Sequence, residues 1–490
     1  MQKRNIFLNI SPLDHRYFLS NQDLFTELSS YISEEASVRY CLKAEAALLK
    51  SHIDCFFDGD EEKKDAVDKA AAAVTPEEVY EEEEQTRHNI RALVNVFQRR
   101  LTADLRPYVH LGATSVDILD TAAAVRTKEA VVRVILPLLV EVELLLCGLA
   151  REHADVPQSG RTHGQQAVPI TVGFAFAEYV ARLGKSIREI QKHAQNLRGK
   201  LAGAVGAYNA TSLLVQDPQD LERRYLKYLL ILPSEYANQM VEPEYLLRLL
   251  TEINTAFGII ANLADDLRNL QRSEIGELIE FFSAKQVGSS TMPQKRNPWN
   301  SEHVKSLWKA FAPRVMTFYM DQISEHQRDL TNSASSRFTA DYLAGFCAAA
   351  ERMRKILESL HVDIERCRWN IESAGGSMLA EAMYILLAAS GHADSHEYIR
   401  KTTIKAAEEN RPLESLLRED EAVWKNITLV LQRNYGLAPD ELFLHPELYR
   451  GKAGQRAVEL AEKYTREMNA LRVELEQSNG KSNMEREDEN

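Results

Sequence analysis

The stretch Glu242–Ser283, "EPEYLLRLLTEINTAFGIIANLADDLRNLQRSEIGELIEFFS", places apolar residues at three- and four-residue spacing and has no proline after Pro243. That periodicity predicts an α-helix. At 1.5 Å per residue it would form a rod of ~60 Å, longer than a small domain is wide. Its apolar positions fall on more than one face, so one neighbour cannot cover it. Similar patterns run over Ser115–Ala154, where Pro137 is set to kink the helix, over Val172–Leu201, and from Ser301 to about Gln327. Such helices must bundle, either within the chain or pooled between copies, and the many-faced pattern favours pooling. Strand candidates such as "KLAGAVGAY" are too few to build a sheet domain. The expected fold is therefore all-α, in three parts. Residues 1–109 carry shorter helices, 110–363 the long bundle, and 364–490 a helical C-terminal part. The polar ending "QSNGKSNMEREDEN" is expected to be disordered.

Charge narrows the function. The 490 residues sum to a formal net charge of -13, which argues against nucleic acid or an anionic membrane as the main partner. A small anion held in a local cationic pocket remains compatible. The five cysteines contain no CxxC pair, as expected for buried thiols in a reducing compartment. The first residues lack a signal-peptide apolar region, and no run of about 18 apolar residues occurs, so a cytoplasmic location is expected. No nucleotide-loop fingerprint is present and no cofactor is expected. His392 and His396 stand four apart, but no third ligand cluster accompanies them; no metal is expected. The acidic run Pro76–Gln85 reads as a solvated helix face.

Three stretches carry chemistry. "VGSSTMPQKRNPWNSE", Val287–Glu302, sets Ser289 and Ser290 after Gly288, then Lys295, Arg296 and Asn297. Asn297-Pro298 reads as an N-cap with proline at the first helical position. The helix start beyond it would offer free N–H groups to a carboxylate or phosphate, with the loop as a lid. "HLGATSVDILDTA" contains a Thr114-x-x-Asp117 capping box, with Thr114 and Ser115 at a helix start. "GRTHGQQAVPI" holds His163 between glycines, a setting suited to acid–base work.

These stretches resemble, in order, the conserved regions of the fumarase/aspartase superfamily, whose signature loop is G-S-S-x-M-P-x-K-x-N-P. The resemblance runs from about residue 10 to about 430. Four features resemble the adenylosuccinate lyase family within it: "SPLDHRYF", "QTRHN", "MPQKRNP" and "QRDLTNSASSRF". The resemblance implies that Arg16 and Tyr17 bind a nucleotide phosphate. It implies substrate contacts from Arg87, Asn89, Thr114, Ser115, Gln239, Asn297, Arg328, Ser333 and Arg337. His15 and Asn89 stand where that family commonly has Gly and Asp, and the segment after Gln239 lacks an arginine-rich pattern.

The chemistry implied is elimination across a Cα–Cβ bond with release of fumarate, from adenylosuccinate to give AMP and from the succinyl-carboxamide ribotide SAICAR to give AICAR. Ser289 would take the Cβ proton, with Ser290 as the alternative. Lys295 and Asn297 would hold the carboxylates, His163 would protonate the departing nitrogen, and His88 would assist. The resemblance also implies a homotetramer whose active sites are each built from three subunits. Other enzymes on the scaffold, of the 3-carboxymuconate cycloisomerase or argininosuccinate lyase type, remain open, as does a structural protein without activity.

Overall fold

The computed structural model describes residues 5–283, 290–374 and 376–487, with side chains described to residue 477. The fold is all-α as expected, with three two-stranded sheets. The principal helices are α1 (Glu34–Phe56), α2 (Asn89–Arg99), α3 (Ser115–Ala130) and α4 (Leu136–Glu152). A hairpin, β1 (Pro157–Thr162) with β2 (Gln165–Thr171), leads into α5 (Val172–Gln195). Then come α6 (Glu244–Leu270), α7 (Trp299–Phe311), α8 (Thr339–Glu358) and α9 (Ala453–Glu487).

The bundle is α4, α5, α6 and α9, with α7 and α8 packed on α6 and α4. α4 reads "LPLLVEVELLLCGLARE" and is apolar nearly all round, because α5, α8 and α9 cover it on several sides. Close approach needs Gly173 at the start of α5, where a Cβ would lie 2.3 Å from the Ala150 carbonyl oxygen. One apolar cluster runs through residues of both chain ends, from Leu13 to Leu475, and a second, smaller one holds Leu379 to Leu442. α6 has the length and hydropathy of a membrane span, yet more than half of its apolar window is buried within the bundle.

Several helices differ from expectation in instructive ways. The 115–154 helix is two helices joined by a π-helical turn at Val131–Ile135, just before Pro137. Proline has no N–H to donate to the helical ladder, and the wider turn just ahead of it takes up that break. The 242–283 rod ends at Leu270: Gly276 takes φ +64° and Leu278–Ile279 pairs with His361–Val362. At ~40 Å, α6 is a third shorter than predicted. The helix from Ser301 stops at Phe311, where Pro313 follows, and a short helix continues over Val315–Met320. Residues 477–487, expected to be disordered, continue the backbone of α9.

Candidate functional site

The first group sits where α2 and α3 begin. Arg87 takes φ +53° and ends the preceding helix, so His88 leaves it and caps α2. The Arg91 N–H donates to His88 Nδ1 at 3.2 Å. A neutral ring held this way carries its proton on Nε2, which lies 3.5 Å from Ser115 Oγ. Asn89 turns its Oδ1 back to the Ile90 N–H at 2.8 Å. Arg87, His88 and Asn89 are all exposed. The predicted capping box is present: the Thr114 N–H donates to Asp117 Oδ2 at 2.8 Å.

Asp117 does more than cap. It is fully buried and its Oδ1 accepts from Lys200 Nζ at 2.5 Å and from the Ala202 N–H at 3.1 Å. Lys200 also donates to the carbonyl of Gln239 at 2.9 Å. The Gln239 N–H donates to the Gln327 carbonyl at 3.2 Å, beside Arg328. Arg328 takes φ +106° and donates through Nη2 to the Asp321 carbonyl at 3.1 Å, while its buried Nε has no partner among the described residues. A cleft between α3, α6 and this loop is lined by Asp120, Tyr245, Phe318 and Arg328. Burial pushes the Asp120 carboxyl up to about 6 against the pull of Lys200 and Arg328. Ser333 and Arg337 are exposed further along the same loop. Thr114, Ser115, Gln239 and Arg328 are thus brought to one end of α3.

The second group surrounds the start of α7. Tyr17 Oη lies 3.0 Å from His303 Nε2. Arg352, from α8, donates to Asn300 Oδ1 at 2.7 Å and lies over the Trp299 ring. Burial, then the positive charges of Arg352 and Arg16, hold His303 below the ordinary imidazole range. The N-terminal Arg16-Tyr17 pair therefore meets the helix that follows the signature loop. Lys295 and Ser290 are exposed and Asn297 is half-buried. Ser289 lies outside the described residues.

The expected N-cap at Asn297 is displaced. Pro298 itself is the cap residue and α7 begins at Trp299. The free N–H groups expected there are occupied: Glu280 accepts from the Asn300 N–H at 3.2 Å, and from the Ser301 N–H at 2.8 Å and its Oγ at 2.5 Å. A carboxylate from the chain fills the helix start predicted for substrate.

The third group is the β1–β2 hairpin. His163, at φ +56°, stands exposed at its tip. Below it, Arg161 grips the fully buried Glu277 through both terminal nitrogens, at 2.6 and 3.0 Å. Gln158 and Asn370 donate to the same carboxylate at 2.9 and 2.7 Å. Among the described residues no hydrogen bond or ion pair joins His163 to His88, Ser115 or Lys295. The sequence did not single out His303, Arg352, Lys200 or Glu277. His303 was within reach, standing one residue beyond the stretch read as a motif.

Comparison with known proteins follows the same pattern. Residues 29–312 match a family model described as Lyase, and residues 324–435 one described as Adenylosuccinate lyase C-terminal. An adenylosuccinate lyase of Archaeoglobus fulgidus is 32% identical over 459 residues, covering 91% of this chain and 97% of that protein. Another, of Pyrococcus abyssi, is 32% identical and covers 94% and 98%. The solved 3-carboxy-cis,cis-muconate lactonizing enzyme from Pseudomonas putida aligns with a TM-score of 0.77 at 24% identity, over 90% of this chain and 97% of that one. At that identity the match speaks to fold alone.

Proposed function

Because this chain belongs to the adenylosuccinate lyase family, we propose that it eliminates fumarate from adenylosuccinate to give AMP, and from SAICAR to give AICAR. The observation that carries the reading is the meeting of Arg16 and Tyr17 with His303 and Arg352 at the start of α7. A phosphate-sized anion suits that cationic corner, next to the loop whose Lys295 and Asn297 would take the succinyl carboxylates. The Cβ proton beside a carboxylate is a weak acid, so its removal needs a base and firm stabilisation of the anion that forms. Ser289 is proposed as that base, working where bound substrate excludes water. His163 is proposed as the acid for the departing nitrogen, with His88 donating from Nε2 to the bound substrate. Arg87, Asn89, Thr114, Ser115, Gln239, Arg328, Ser333 and Arg337 are proposed to bind the rest of it.

His88, His163 and Lys295 stand on separate elements, which supports a site shared between copies. Exposed Met316, Met320, Ile323 and Leu330 offer apolar surface for such contacts. We therefore read the molecule as a homotetramer of the cytoplasm with no resident cofactor, in three parts bounded near residues 109 and 363, the last of which returns α9 to the bundle. The cycloisomerase-type, argininosuccinate-type and inactive structural readings are not favoured, since relatives named adenylosuccinate lyase align over nine-tenths of the chain. The test is spectrophotometric turnover of adenylosuccinate by the unmodified chain and by Ser289→Ala. Turnover by the first, cut by about three orders of magnitude in the second, is expected from loss of a catalytic base. Absence of turnover in the unmodified chain overturns the function; near-normal turnover in Ser289→Ala overturns the base.

A further inference from the structure

Lys200 has no exposed surface, and a buried ammonium is costly unless fully paired. Its pairing is complete and unusual in its distribution. The ammonium donates to Asp117 Oδ1 at 2.5 Å, to the Gln239 carbonyl at 2.9 Å and to the Gly203 carbonyl at 3.2 Å. An ammonium has three hydrogens, so all are used. Two of the acceptors, on Asp117 and Gln239, are remote in sequence, and the third, on Gly203, lies in the turn that follows Lys200. Asp117 holds the Thr114 N–H and so the helix start bearing Ser115. It also receives the Ala202 and Gly203 N–H groups, at 3.1 Å and at 3.2 and 3.3 Å. Thr121, one turn further along α3, clasps the Lys200 backbone from both sides, at 3.0 and 3.2 Å. Asp120 accepts the Val241 N–H at 3.0 Å and fixes the segment just beyond Gln239.

We propose that Lys200 is a positioning residue: through Asp117 and the Gln239 carbonyl it locks the Thr114–Ser115 helix start, the Gly203 turn and the Gln239 segment into one substrate-facing frame. The proposal rests on the function given above and deepens it. Lys200 touches no substrate itself. Its worth is geometric, since a small displacement of binding groups costs rate and affinity together.

Stability and function should then separate. Lys200→Met leaves the buried Asp117 with backbone N–H donors but no countercharge, and is expected to lower both the unfolding midpoint and kcat/KM. In the double variant Asp117→Asn/Lys200→Met the stranded charge is gone, so the midpoint recovers in part, although one amide nitrogen now faces backbone N–H groups. The frame is still missing, so kcat/KM stays down by about a hundredfold, chiefly through KM. A double variant that regains both overturns the proposal, because a purely structural pair would behave that way. Should the variants fail to fold, hydrogen exchange on the unmodified protein decides without any substrate. The amides of Thr114, Ala202, Gly203 and Val241 are expected to exchange only with global unfolding. Exchange of these amides as freely as surface turns overturns the frame. Unmodified protein that shows the protected frame but no adenylosuccinate turnover would indict the function and leave the frame standing.

Discussion

Glu277 and Glu143 are both carboxylates without exposed surface, and they live in opposite circumstances. Glu277 lies under the His163 hairpin and receives four hydrogen bonds, from Gln158, Asn370 and twice from Arg161. Glu143 lies on α4 in the bundle, close to α9, and neither of its oxygens has a hydrogen-bond partner among the described residues. Burial, with the charge of Glu467 adding to it, pushes the Glu143 carboxyl well above the usual range. Under the hairpin, then, the buried Glu277 charge is fully satisfied and joins separate segments. In the bundle, where polar links such as Ser186 with Glu252 and Arg188 with Glu467 join other positions, the buried Glu143 carboxyl is left out of them. Glu45 stands between these extremes: one oxygen meets His110 Nδ1 at 2.7 Å, and the other is bare.

The largest effect should come from Glu277→Leu, which strands Arg161 beneath the hairpin. Breaking a buried pair of this kind costs about 3–5 kcal/mol, read as a lowered denaturation midpoint. The kinetic signature should differ from that of the Lys200 variants. Loosening the hairpin displaces His163, the proposed acid, so kcat should fall by about a hundredfold with little change in KM. If KM rises instead and kcat holds, Glu277 and Lys200 serve the same part of the site and the contrast between the two frames fails.

Glu45→Gln should be the intermediate case, and its signature is pH dependence. Burial works against charging His110, but the bond and charge of Glu45, with Asp117 beyond it, outweigh burial and the opposing Arg91, so the imidazole titrates above its ordinary value. A histidine raised on folding contributes stability that is whole below the unfolded value near 6.5 and is lost as pH rises through the folded value. The variant should cost about 2 kcal/mol at pH 6. Its stability should vary less than that of the parent above pH 6.5. Parallel pH–stability curves for the two proteins would show that the pair adds nothing by charge.

How much of this was legible in the sequence follows from what sequence patterns record. The helices of the bundle were visible, because apolar periodicity is a record of burial. Their ends were not. Ile275, Leu278 and Ile279 continue the apolar pattern beyond Leu270, but they serve a turn and a short strand. The hairpin was missed since its buried strand, "PQSGRT", is polar: Gln158 and Arg161 are there to reach Glu277, a residue more than a hundred positions away. The Thr114 cap was read correctly and the signature loop pointed to the right family, because both signals are local. Lys200, Asp117 and Glu277 look like surface residues in one dimension, and only the fold reveals that they are interior and paired. The occupied start of α7 is the same lesson reversed: a local cap signal was right to suggest an anion, but the anion is Glu280.

The smallest effect, and the one with the opposite sign, belongs to Glu143. A carboxyl whose folded value is raised loses stability as pH climbs above its unfolded value near 4.5, since folding then demands a proton from solvent. At neutral pH that demand falls on a side chain with no hydrogen bond to offset it. Glu143→Met keeps nearly the same volume, puts a flexible apolar chain against Tyr464 and Gly184, and removes the demand. The variant should therefore be more stable by about 1 kcal/mol at pH 7, with turnover unchanged and the gain shrinking as pH falls toward 4.5. Chemical denaturation at several pH values measures this directly. A loss of stability at neutral pH would mean that the Glu143 carboxylate is satisfied in the assembled protein, by a donor that another copy supplies between α4 and α9, and the contrast with Glu277 would collapse.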